Sequence, residues 1–177
     1  MMISCCKKSF DDLYFNAKDI TVKNTYNFRD ISDGVTVNQE GYRIKLILNE
    51  NTKEAIEDIN NIRKSLDYCE DNEVALKKDI SKLSITCNHT LWETPAGSSL
   101  NLDNIRIVER SSENETNPLK VDEWIDVINA KTQFVDFEWY MTFTEPIIST
   151  DYLKFTLTFE IVDGNTYKTE TETVKLE

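Results

Sequence analysis

Turn-forming residues are scarce in this chain. It holds only 4 Gly and 3 Pro in 177 residues, and neither type occurs between Gly41 and Pro95. Four scattered glycines exclude the phosphate-cradling loops GxxxxGK(S/T) and GxGxxG, which need glycine clustered where the backbone approaches phosphate. There is one histidine, His89. A Ser–His–Asp or Cys–His system would have to use it. Cysteines stand at 5, 6, 69 and 87 with no C-x-x-C, and Cys87-Asn88-His89 is the one close approach of Cys to His. A tetrahedral zinc site needs more ligands, so no metal and no cofactor is expected. The thiols read as reduced and mostly buried, as in an intracellular protein.

No apolar run reaches the roughly 18 residues that a membrane-spanning helix needs. The opening MMISCCKKSFDD lacks an apolar core of about 7–15 residues, so no secretory signal is expected. Basic charge is also short: 20 Lys and Arg face 32 Asp and Glu, a net charge of −12. A phosphate backbone demands a basic face, so neither nucleic acid nor an anionic membrane is expected as main partner. No cluster of Lys or Arg longer than a pair appears along the sequence.

What the chain has is β-forming bulk. It is 40% hydrophobic and 10% aromatic, enough for a packed core rather than disorder. Residues 1–177 fit a single domain. Asn, Ile and Thr number 16, 17 and 18, against 5 Ala, which is the residue usage of an AT-rich genome.

The segments ITVKNTYNFR and YRIKLIL predict strands within 19–49, punctuated by Asp33-Gly34 and Glu40-Gly41. Residues 52–83 read as a helical insertion. Its first stretch carries Ile56, Ile59, Ile62 and Leu66 at helical spacing, with Asn51 and Glu54 as a capping box. A second stretch, 73–82, uses Leu76, Ile80 and Leu83. The two form either a helical hairpin or one long helix. LSITC resumes a period of two, WETPAGSS is a loop, and LDNIRIVER a strand. VDEWIDVI sets Val121, Trp124, Ile125 and Ile128 on one face of a short helix over 121–129.

The strongest pattern lies in the last third, 100–177. Val135, Phe137, Trp139, Met141 and Phe143 share one face; Asp136, Glu138, Tyr140 and Thr142 share the other. Leu153, Phe155, Leu157, Phe159 and Ile161 repeat the alternation after Pro146. Such one-sided antiparallel strands pack on a second sheet. The expected fold is α+β and mainly β: an antiparallel β-sandwich, Ig-like or jelly-roll-like, with the insertion at 52–83.

The final hairpin has an arguable register. A two-residue loop at Asp163-Gly164 would set charges against the core face. A three-residue loop, Val162-Asp163-Gly164, puts glycine at the left-handed bulge position. It pairs Phe159 with Tyr167, Leu157 with Thr169 and Phe155 with Thr171, and sets Lys154 opposite Glu172. A slip of one residue inverts every side chain, so the second register is expected. The inner row Tyr167, Thr169, Thr171 and Thr173 suits the rim of a sandwich. It is either a protected edge strand or an edge held for a specific neighbour.

Other candidates are bland. Cys87 and His89 would share a strand face, and the acidic pairs Asp122/Glu123 and Asp136/Glu138 read as solvated. Trp124 and Trp139 are core residues. Trp92, beside the ETPAGSS loop, is either an anchor for that loop or a stacking platform for sugar. The possible interaction surface is therefore Trp92, Tyr167, Thr169, Thr171 and Thr173.

The AT-rich usage, the absent signal and the ending FVDFEWYMTFTEP…LKFTLTFEIVDGNTYKTETETVKLE resemble the small structural proteins of tailed bacteriophages, including the crAss-like phages. The resemblance covers residues 100–177. It implies a non-enzymatic virion component, such as a decoration, connector, ring or tail protein. Such a component is made in the host cytoplasm and assembles in many copies with other virion proteins. The alternative is a soluble β-sandwich module that binds carbohydrate or peptide through the Trp92 loop.

Overall fold

The computed structural model describes residues 13–48, 74–76, 79–110, 117–130 and 138–177. Its strands run in chain order as β1 (Leu13–Phe15), β2 (Ile20–Tyr26), β3 (Arg29–Asp30), β4 (Val35–Val37), β5 (Tyr42–Leu48), β6 (Val74–Leu76), β7 (Ile80–Cys87) and β8 (Ile105–Arg110). Helix α1 (Val121–Ala130) follows, then β9 (Glu138–Phe143), β10 (Phe155–Ile161), β11 (Thr166–Glu170) and β12 (Val174–Leu176). The fold is α+β and mainly β, as the alternation implies. One antiparallel sheet has the order β3-β2-β5-β9-β8, and the other β11-β10-β7. Two short parallel pairs, β1 with β6 and β4 with β12, were not expected.

The sheets meet face to face. Ile44, Leu46, Trp139, Met141, Ile105 and Ile107 pack from the larger sheet against Leu83, Ile85, Phe155, Leu157 and Phe159 from the smaller. Phe143 stacks on Phe155 with ring centres 5.2 Å apart, and Tyr42 lies 6.3 Å from Phe155. Strands β9 and β10 are consecutive yet lie in opposite sheets, because the connection past Pro146 carries the chain across the sandwich. Val121, Trp124 and Ile128 of α1 plug the core beside β7 and β8. No helix among the described residues is long and apolar enough to cross a membrane.

Three expectations are corrected. The helical stretch at 73–82 is not helical where it is described: Leu76 ends β6, and Ile80 and Leu83 belong to β7. Ile161 pairs with Ile80 and Glu160 with Lys82, so Ser81 is bulged out. One extra residue resets the alternation and buries two side chains three apart, which imitates helical spacing. The stretch 52–73 lies outside the described residues, as do Val135, Asp136 and Phe137. Second, Tyr140 is buried rather than solvated, although it stands on the face opposite Trp139 and Met141. Third, Lys154 pairs with Glu170 and not with Glu172.

The hairpin register is as expected, with Phe159 opposite Tyr167 and Leu157 opposite Thr169. Gly164 adopts φ +85°, the left-handed conformation that its loop position requires. Beyond Glu170 the chain leaves the ladder. Thr171 donates its N–H to the Phe155 carbonyl, and its hydroxyl oxygen, instead of a backbone carbonyl, accepts the Phe155 N–H. That switch turns Glu172 aside, so Lys154 reaches diagonally to Glu170, which also accepts from the Thr156 hydroxyl at 3.2 Å. Strand β12 then runs between β4 on one side and Leu153 on the other.

Candidate interaction surfaces

The five residues singled out from the sequence do not form one surface. Tyr167 and Thr169 are half-buried beneath the edge of the smaller sheet. Thr171 is only 2% exposed and cannot meet a partner. Thr173 is committed to Asp33: its N–H and hydroxyl donate to one carboxylate oxygen at 2.7 and 2.6 Å. Those bonds, the hydroxyl's first, hold the Asp33 carboxyl below its ordinary value of 3.8. Thr173 also returns its carbonyl to Gly34. The crossover is further pinned by Asn24, which donates to the Glu172 carbonyl and accepts from the buried Tyr42 hydroxyl, both at 2.7 Å.

Trp92 lies apart from that strand. Its indole N–H donates to the Pro146 carbonyl at 2.9 Å and its ring leans on Phe143, centres 5.7 Å apart. Trp92 and Glu93 are the two central residues of a tight hairpin closed by Leu91 and Thr94, at φ +48° and +64°. Such a turn needs left-handed backbone at both positions and normally employs Asn and Gly. The ring's contacts hold Trp92 in that conformation and tie the 88–99 loop to the 144–154 connection. Asn88 joins the same two segments, donating to the Tyr152 carbonyl and accepting the Lys154 N–H. The clamped connection presents Ile148, 92% exposed, and Tyr152.

Cys87 and His89 do not share a face, because β7 ends at Cys87. Cys87 is buried, which pushes its thiol above the ordinary range. His89 turns outward, with Nδ1 3.5 Å from Asp151. Asp122 is exposed on α1, while Glu123 accepts the Lys120 N–H at 2.8 Å and so caps the helix start.

One surface escaped the sequence reading: the outer face of the larger sheet. Lys23 of β2, Arg43 and Lys45 of β5, and Arg106 and Arg110 of β8 stand on it by alternation, with Glu138 of β9 and Asp30 of β3. Glu138 bonds Lys45 at 2.5 Å and accepts the Tyr140 hydroxyl at 2.5 Å. Burial, then the Glu138 bond, pushes the Tyr140 phenol far above its ordinary range. Phe28 caps Tyr140 edge-on at 4.9 Å, and the Arg110 guanidinium lies 4.1 Å over the Phe28 ring. Phe28 is held at φ +63°, in the two-residue turn between β2 and β3. Arg43 and Arg106 flank Thr142, each guanidinium donating to two backbone carbonyls of its own strand start. The signal was present as basic residues on one face of each strand, Arg43 and Lys45 in YRIKLIL and Arg106 and Arg110 in IRIVER, but only strand pairing gathers them.

No family model, curated protein or solved structure matches this chain.

Proposed function

We propose that this protein is a non-enzymatic structural component of a bacteriophage virion, working through protein–protein contacts as one copy among many. The observation that carries the reading is the unequal treatment of the sheet edges. The outer edge of β7 is closed by Leu100, which donates to the Ile85 carbonyl, and by the Asn129 side chain, which bonds both backbone groups of Ile80. The outer edge of β8 exchanges two bonds with Leu119. Strand β11 is different. Its Ile161–Asn165 and Phe155–Thr171 bonds fix the alternation, so the backbone groups of Thr166, Lys168 and Glu170 face outward. Among the described residues no strand pairs with them.

An open row of this kind accepts a further strand, and charged neighbours make it selective. Lys168 and Glu170 supply the charge, and the exposed Val162 at the hairpin tip supplies an adjoining apolar contact. Mass spectrometry of density-gradient particles from the encoding phage should find this chain in stoichiometric amounts. Particles that lack it would overturn the reading. A protein that ignores particles but is held on a glycan array would favour the binding module built on Trp92.

A further inference from the structure

We propose that the basic outer face of the larger sheet docks the acidic outer side of α1 from a second copy of this chain, forming a two-fold dimer. The inference deepens the assembly reading above and rests on it. Among the described residues the face carries five cations, Lys23, Arg43, Lys45, Arg106 and Arg110, against two carboxylates, Asp30 and Glu138. Removing these from the chain's 20 basic and 32 acidic residues leaves 15 and 30. A positive sheet face therefore sits on a molecule that is strongly negative elsewhere, and a second copy is itself an acidic partner.

Helix α1 supplies the matching surface. Its buried side is Val121, Trp124 and Ile128, which leaves Asp122, Glu123 and Asp126 exposed. Val127 is 40% exposed and lies between that acidic stripe and the buried side of the helix, an apolar contact at the stripe's flank. The sheet face has the inverse design, with half-buried Val108 and Phe28 among cations. Dimensions agree: ten residues of helix span about 15 Å, and five strands span about 19 Å. Like charges on the two copies repel at long range, but already near 0.1 M salt, where the Debye length is about 10 Å, that repulsion is largely screened while a close complementary contact persists; higher salt then weakens the contact itself.

Symmetry follows from position. Helix α1 packs beside β8, the strand that carries Arg106 and Arg110. Donor and acceptor surfaces thus lie at the same edge of one subunit, on either side of β8: α1 packs on the core side, where Trp124 meets Trp139, and the two arginines point the other way. A two-fold axis near the β8 edge lets each helix cover the other subunit's face at once, a self-complementary interface.

The test is the mass of the purified full chain by light scattering. The wild type should run at twice the 20.6 kDa chain mass at about 50 mM NaCl. It should shift toward monomer between about 50 and about 500 mM NaCl. The pair Arg43→Glu with Arg106→Glu makes the face acidic, and Asp122→Lys with Asp126→Lys makes the helix basic. Each double variant should be monomeric alone, and an equimolar mixture should restore the dimer, because both interfaces then join opposite charges. Thermal melts check that each variant is folded, and rescue on mixing excludes simple misfolding. A wild type that is monomeric at about 50 mM NaCl overturns the proposal. So does a salt-insensitive dimer, a mixture that stays monomeric, or a face that binds duplex DNA while the protein remains single. If the dimer fails yet particles contain the chain, only this inference falls.

Discussion

Thr171 and Phe155 exchange two hydrogen bonds, and one of them uses a side chain: Thr171 N–H donates to the Phe155 carbonyl at 2.9 Å, and Phe155 N–H donates to Thr171 Oγ1 at 3.0 Å. A backbone carbonyl normally fills that second position. Substituting a hydroxyl oxygen lets the chain finish pairing with β10 and turn toward β4 within three residues. The repeated threonines of the chain's end thus have distinct physical tasks, and Thr171 performs the one that redirects the strand.

Thr171→Val should therefore be costly despite its matched shape. It leaves the Phe155 N–H without an acceptor in a site where Thr171 is 2% exposed and Phe155 0%. An orphaned buried donor costs about 1–3 kcal/mol. Thr171→Ser keeps the oxygen and should lose less. Urea unfolding midpoints of the three proteins check this ordering; a valine variant as stable as wild type would refute it.

The partner bond at Thr173 predicts an acid response. Asp33 has its carboxyl held below 3.8, chiefly by the Thr173 hydroxyl and then by the Thr173 N–H. A folded-state value below the unfolded one means that the unfolded chain binds the proton more readily. The stabilisation is complete above the unfolded value and is lost as pH falls through the lower folded one. Glu170 is shifted the same way, first by the hydrogen bond from Lys154. Asp33→Asn should flatten, without abolishing, the loss of stability expected as pH falls below the ordinary carboxylate range. Unfolding midpoints across that range provide the measurement, and identical slopes for the two proteins would count against the bond.

How much of this was legible depended on range. The register at Phe159 and Tyr167 could be read because alternation and Gly164 sit within one hairpin. The α1 face could be read because Val121, Trp124 and Ile128 mark a single helix. The Ser81 bulge could not, since Ile80 and Leu83 at a spacing of three fit a helix equally well. The basic face was hidden for another reason. Its cations share one face visibly within β5 and within β8, yet nothing local says that β9 lies between those strands. The acidic total then masked the patch. Tyr140 looked solvated because its cover, Phe28, comes from a turn more than a hundred residues earlier. Trp92 was placed correctly in a loop, but its commitment to Phe143 and Pro146 depends on a crossing connection that sequence alone does not orient.

The open edge of β11 makes a prediction about proline. Lys168 N–H points away from β10, so Lys168→Pro removes no ladder bond. Thr169 N–H points into the ladder, so Thr169→Pro should cost about 1–3 kcal/mol more than Lys168→Pro. If the edge receives a strand in particles, Lys168→Pro should also lower incorporation while the isolated protein stays folded. Equal destabilisation by the two prolines would mean that the β11 alternation is reversed.

The turn at Trp92-Glu93 separates strain from contact. Both residues sit at positive φ, at +48° and +64°, where a non-glycine residue loses roughly 1–2 kcal/mol. Glycine would relieve that strain at either position, so strain alone predicts that both glycine variants gain stability. Contacts reverse one of them. Glu93 is exposed, so Glu93→Gly loses little and should stabilise by about 1 kcal/mol. Trp92 is half-buried on Phe143 and donates to Pro146, and truncating a packed Trp removes about 3 kcal/mol or more. Trp92→Gly should therefore destabilise on balance, and should also loosen the 144–154 connection. Hydrogen exchange at the Ile147 N–H, which Gln39 holds at 2.6 Å, reports that second effect. Faster exchange in Trp92→Gly but not in Glu93→Gly identifies the indole as the clamp; unchanged exchange in both variants assigns that role to Gln39 and Asn88.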